Sequence, residues 1–203
     1  MNVAILLDGD FSRRLMKKKL GHNPSPGEIE TFCRSVVCRD ELIVKTYYYD
    51  CPPFSEKRAL PVSKTDFDFS QSYVHEKAAQ FQEDMRRNPF FTYRRGHLSF
   101  DGWNLKEDSI LDLLRAPRLL ADNDFAPILS QKQVDMKIGF DVAKLCIKNI
   151  APRILLATSD TDFIPAIHFA KTYNVEVVLL SDIDFVKRTK GRLLKVFTSH
   201  RLV

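Results

Sequence analysis

Little in this 203-residue chain suits it to covalent cross-linking. Its four cysteines, Cys33, Cys38, Cys51 and Cys146, include no CxxC spacing and are too few to staple a chain of this length, which gives a zinc site little support and a disulfide framework less. Seven glycines and ten prolines exclude collagen-like and low-complexity sequence, and no internal repeat is present. No window approaches the roughly 18 apolar residues that a membrane helix requires. The apolar start, Met1 to Leu7, is cut short by Asp8 and Asp10 and lacks a basic n-region, so it reads as a strand rather than a signal peptide. With no export signal, a reducing cytoplasm is the expected location, and no membrane partner is expected.

What is present is a composition that folds. Apolar residues make up 44% and charged residues 28%, enough for a sizeable core. The length favours one domain. Strands are expected at Val3–Leu7, Leu42–Tyr49, Phe90–Tyr93, Ile154–Ala157 and Val175–Leu180. Helices are expected at Glu28–Arg39, Tyr73–Arg87, Val134–Lys148 and Phe163–Tyr173. Between about 97 and 130 the periodicity is weak, and an irregular excursion with one short helix near Ser109–Leu114 is expected. Strands apolar on both faces and alternating with helices predict an α/β fold in three layers, a mainly parallel central sheet with helices on both faces. In such folds ligands bind beyond the carboxyl ends of the strands, at the switch point of strand order.

That rule gives the aspartates their meaning. Asp8 ends the first strand, and Asp160 and Asp162 follow the strand Ile154–Ala157 at the same sheet edge. Capping of a helix start explains one or two such residues, but not their placement at one edge. On an ideal helix from Val134, the residues Val134, Ile138, Val142, Leu145 and Cys146 fall within about 120° of one another. Asp135 falls inside that stripe and is expected to be buried there, needing a partner. Asp141 is spaced from Lys137, Lys144 and Lys148 like a member of a solvated, ion-paired face. Converging carboxylates repel by about 4 kcal/mol per pair at 4 Å and an effective dielectric near 20. They protonate or are neutralised by a divalent cation. An all-oxygen site selects Mg²⁺ or Mn²⁺, ions suited to phosphodiester hydrolysis.

The remaining charge agrees. The net charge is +5, and setting aside Asp8, Asp135, Asp160 and Asp162 leaves +9, as a polyanionic substrate requires. Arg13, Arg14, Lys17, Lys18 and Lys19 follow directly after Asp10. Arg94 and Arg95 beside Tyr93 form a second candidate for RNA contacts. The run Lys187, Arg188, Lys190, Arg192 and Lys195 reads most simply as a solvated tail, and His168 as a packed helix residue.

Three segments together resemble the NYN domain, a PIN-like nuclease family that includes the LabA-like proteins. They are Ile5-Leu6-Leu7-Asp8-Gly9-Asp10, Lys132 to Asp141, and Leu155 to Phe163. Their order and separation follow the family over roughly residues 1–198. The resemblance implies a single PIN-like domain over residues 1–203 and a metal-dependent ribonuclease. By motif position it implies that Asp8, Asp135, Asp160 and Asp162 are the metal-holding catalytic carboxylates. Asp10, Asp141 and Ser159 are secondary candidates. The family usually carries an Asn three residues after the first Asp, where this chain has Phe11. That departure favours an alternative, a non-catalytic RNA- or protein-binding domain. A second alternative is a haloacid dehalogenase-type phosphatase, with Asp8 as nucleophile and Asp10 as acid/base. A homo-oligomer is compatible with all three.

Overall fold

The computed structural model describes residues 1–182 and 197–202. The chain divides into two compact units, one of residues 1–50, 83–96 and 133 onward, the other of residues 51–82 and 97–132.

The first unit is built on a six-stranded sheet. Its strands are β1 (Asn2–Asp8), β2 (Leu42–Asp50), β5 (Thr92–Arg95), β8 (Arg153–Ala157), β9 (Glu176–Ser181) and β10 (Ser199–Leu202), in the order β10-β9-β8-β1-β2-β5. All pairs are parallel. The fold is α/β and Rossmann-like, with three layers, as the apolar runs of the sequence imply. Val3–Leu7 of β1 and Ile154–Ala157 of β8 are wholly shielded from solvent, which requires helices on both faces of the sheet.

The helices are α1 (Gly9–Leu20), α2 (Pro26–Ser35), α3 (Tyr73–Arg87, whose last turn belongs to this unit), α5 (Val134–Ile147) and α6 (Ile164–Thr172). Local chemistry sets the ends of α1 and α2. At α2, Ser25 and Glu28 form a reciprocal capping box and Pro26 opens the first turn, as that pairing favours. The helix stops at Ser35, short of the expected Arg39, because two β-branched residues follow and Glu41 takes the Cys38 N–H at 2.6 Å. At α1, Gly21 adopts φ +77° and returns its N–H to Lys17 O at 2.9 Å, a left-handed stop that favours glycine.

At the strand starts, the buried Glu41 carboxylate receives Arg153 and Arg201, the latter at 2.6 Å. Arg201 also donates to Val36 O at 2.7 Å, so the Glu41–Arg201 pair ties β8, β10 and the end of α2 together.

The second unit contains β3 (Lys57–Ala59) paired antiparallel with β4 (Asp66–Asp68), and β6 (His97–Leu105) paired antiparallel with β7 (Phe125–Lys132). The helix α4 (Glu107–Arg115) joins the latter two. The segment expected to be irregular is therefore a regular ribbon. The apolar alternation Leu98, Phe100 changes phase to Trp103, Leu105 at a register shift beside Gly102, whose φ is +116°. A bulge of this kind erases a period-two signal. Phe100 and Trp103 pack with Phe54 and Phe69 at ring separations of 5.1–6.3 Å, covering this unit's core.

One side-chain expectation is corrected and another falls on no described residue. His168 is exposed rather than packed, because the inward face of α6 is taken by Ile167 and Ala170. The basic run Lys187–Lys195 lies outside the described residues.

Candidate active site at the sheet's carboxyl edge

β1 and β8 are neighbouring parallel strands, with Leu7 opposite Ala157. From β1 the chain proceeds to β2 on one side, while β8 lies on the other. The ends of β1 and β8 therefore flank the switch point of the sheet.

Asp8 stands at that point as the cap of α1. Its Oδ1 accepts the N–H groups of Asp10 at 3.1 Å and Phe11 at 3.4 Å. Burial raises its pKa to about 6, and the charges of Asp10 and Asp135 add to the rise, against the lowering by these two hydrogen bonds. Asp160 caps the short helical turn Thr161–Phe163 by accepting the Asp162 N–H at 2.9 Å. Its own N–H donates to Thr158 Oγ1 at 3.1 Å, below an exposed Ser159. Asp162 is exposed in the same turn.

Asp135 is in the first turn of α5. Its pKa is raised by partial desolvation and by the charges of Asp160 and Asp162. Repulsion thus links Asp8 to Asp135 and Asp135 to the Asp160–Asp162 pair, so residues more than a hundred positions apart share one electrostatic neighbourhood. Among the described residues none of these four forms an ion pair with a Lys or Arg.

Asp135 and Asp141 exchange the roles expected of them. Asp135 is exposed, because the first turn of α5 leaves it outside the stripe that Val134, Ile138, Val142, Leu145 and Cys146 bury. Asp141 is the buried one, at 6% exposure. It accepts two hydrogen bonds of 2.8 Å from Arg94 Nε and Nη2 and one of 3.0 Å from the Tyr49 hydroxyl. Arg94 also lies 5.0 Å from the Tyr47 ring centroid. With Lys137 Nζ donating to Arg95 O, these contacts fasten α5 to the ends of β2 and β5.

Sequence reasoning missed a second such anchor. Asp50, buried at the end of β2, receives Arg13, which also donates to the Tyr48 hydroxyl at 2.8 Å. Of the other basic candidates, Arg14 pairs with Asp10 at 3.0 Å and Lys18 with Asp182 at 3.1 Å. Lys17 and Arg95 are exposed. Phe11 is buried against the core.

Among the described residues, no three His, Cys, Asp or Glu side chains stand together as a ready metal site. The donor chemistry nevertheless suits a hard divalent cation. The set is all carboxylate, Asp8 is held above its ordinary range, and among the described residues no cationic side chain pairs with any of the four.

No known protein family and no curated protein matches this chain. Among solved structures it is similar to the crystal structure of a protein of unknown function from Vibrio parahaemolyticus. The TM-score is 0.54 at 13% identity, over 100% of this chain and 92% of that one. At that identity the likeness speaks to the fold.

No helix of the described residues is long and apolar enough to cross a membrane.

Proposed function

We propose that this chain is a metal-dependent ribonuclease of the NYN, PIN-like type, acting on RNA in the cytoplasm. The observation that carries the reading is the group of Asp8, Asp135, Asp160 and Asp162 at the β1/β8 switch point, which no Lys or Arg among the described residues pairs with. The positive balance of the same unit supports the reading, since its described residues hold 18 Lys and Arg against 15 Asp and Glu even with these four carboxylates counted.

Asp8, Asp135, Asp160 and Asp162 would hold one or two Mg²⁺ or Mn²⁺ ions, which supply positive charge against the oxygens of the phosphodiester. Gathering these side chains around an ion requires them to turn inward. Asp8 and Asp160 are already fixed by their capping hydrogen bonds, so Asp135 and Asp162, on exposed first turns, make the larger adjustment. Backbone phosphates fall to Lys17, Arg95, Arg14 and Lys18. The Arg14–Asp10 pair is a surface ion pair worth roughly 0–1 kcal/mol, which a phosphate can displace. Arg13 and Arg94 instead spend their charge on the buried Asp50 and Asp141 and act as struts.

The test is a Mn²⁺ cleavage assay on single-stranded and structured RNA, with wild type beside Asp160→Asn. Metal-dependent cleavage by wild type and none by the variant is the expected result. RNA binding without metal-dependent cleavage would establish instead the non-catalytic reading, which the burial of Phe11 at the family's Asn position favours. An aspartyl-phosphate trapped on Asp8 would establish the phosphatase.

A further inference from the structure

Two helices of this chain carry apolar stripes that face solvent, and their charges are opposite. On α5, Met136, Phe140 and Ile147 are between 62% and 67% exposed. At about 100° per residue they lie within roughly 40° of one another, with Lys137, Lys144 and Lys148 along one side. On α4, Ile110, Leu111 and Leu114 are exposed, Leu114 to 77%. Glu107 heads that stripe and Asp108 and Asp112 run along its flank. Leu119 and Leu120 extend the apolar surface just beyond the helix.

Isolated exposed leucines need no explanation, but stripes at helical spacing mark docking surfaces. The charge division extends past the helices. The second unit holds ten Asp and Glu against eight Lys and Arg, whereas the described residues of the first hold 18 Lys and Arg against 15 Asp and Glu. The lengths also agree. Nine residues of α4 span about 13 Å, and Met136 to Ile147 spans about 16 Å at 1.5 Å per residue.

We infer that the chain self-associates, α4 of one copy seating its apolar stripe on α5 of another. Leucine side chains meet Met136, Phe140 and Ile147, while Asp108 and Asp112 face the lysines of α5. The contact is independent of whether the carboxylate site cleaves RNA.

Sedimentation velocity on the full chain over a wide concentration range tests this. Wild type is expected to self-associate, with Leu114→Glu and Phe140→Glu each weakening association by about tenfold or more. Mixing the two variants is expected to recover a heterodimer, since each supplies the surface the other lacks. Lys144→Glu with Lys148→Glu weakens association by charge alone, and adding Asp108→Lys with Asp112→Lys to the same chain restores it. These four positions are exposed, so the comparison survives if an apolar replacement harms folding. A wild type monomeric throughout would overturn the inference and leave α4 to some other basic partner. So would association that Leu114→Glu abolishes and Phe140→Glu leaves intact, the mark of α4 pairing with itself, or charge reversals that have no effect.

Discussion

Replacing Asp8 by Asn should make the metal-free protein more stable, and by an amount that depends on pH. The fold raises the Asp8 pKa from 3.8 to about 6, so it favours the protonated acid over the carboxylate. The stability this group contributes is complete below about pH 4 and is lost as pH rises through 6. A shift of about two pH units corresponds to about 3 kcal/mol. Asn carries no charge and caps a helix as well as Asp, so the N–H groups of Asp10 and Phe11 keep an acceptor. Urea unfolding of both proteins with a chelator present, at intervals from pH 4 to 8, gives the difference directly. The stability advantage of the variant is expected to grow from near zero at pH 4 to about 3 kcal/mol by pH 7.5. Added Mn²⁺ should stabilise wild type more than the variant, narrowing or reversing that order. A difference that does not change with pH, or an Asn variant less stable at every pH, would refute the claim that uncompensated charge is stored at this strand end.

Asp160→Asn retains an acceptor for the Asp162 N–H, so its melting temperature should match wild type while Mn²⁺-dependent cleavage falls to background, as thermal denaturation and a gel assay will show. Glu41→Gln removes the carboxylate that holds Arg153 and Arg201, and should cost about 3–5 kcal/mol by chemical unfolding. The Glu41 pKa is lowered to about 2, chiefly by Arg201, so wild type should lose this contribution below about pH 4 and the difference should shrink there. Arg94→Gln leaves Asp141 buried with only Tyr49 and should destabilise by a similar 3–5 kcal/mol. A change under 1 kcal/mol would mean that the buried pair does not hold α5.

The sheet was legible because buried parallel strands announce themselves as uninterrupted apolar runs. Val3–Leu7 and Ile154–Ala157 did so, and Tyr73–Arg87 was found to the residue from its helical spacing. The ribbon β6–β7 was not, since the extra residue beside Gly102 moves the apolar positions from one parity to the other. Nor was β10 anticipated, four residues at the end of a basic stretch. At the site, the edge carrying Asp8, Asp160 and Asp162 followed from their places after the ends of two expected parallel strands, while the contrast between Asp135 and Asp141 did not. The same wheel that put Asp135 in the buried stripe sets Asp141 only about 20° from Val134. The lysines spaced around Asp141 suggested a solvated face and masked that signal. Its true partners, Tyr49 and Arg94, come from two other strands, and no local spacing reveals them.

Gly9 sits between the two acids of the first motif, and a Cβ built there would lie 2.6 Å from the Tyr49 carbonyl oxygen and 3.0 Å from the Tyr48 ring. Any side chain at this position must lever α1 away from β2, moving the helix start on which the Asp8 carboxylate is hung. In a saturation library of the first twelve residues, the site with no functional group of its own should therefore tolerate the fewest replacements.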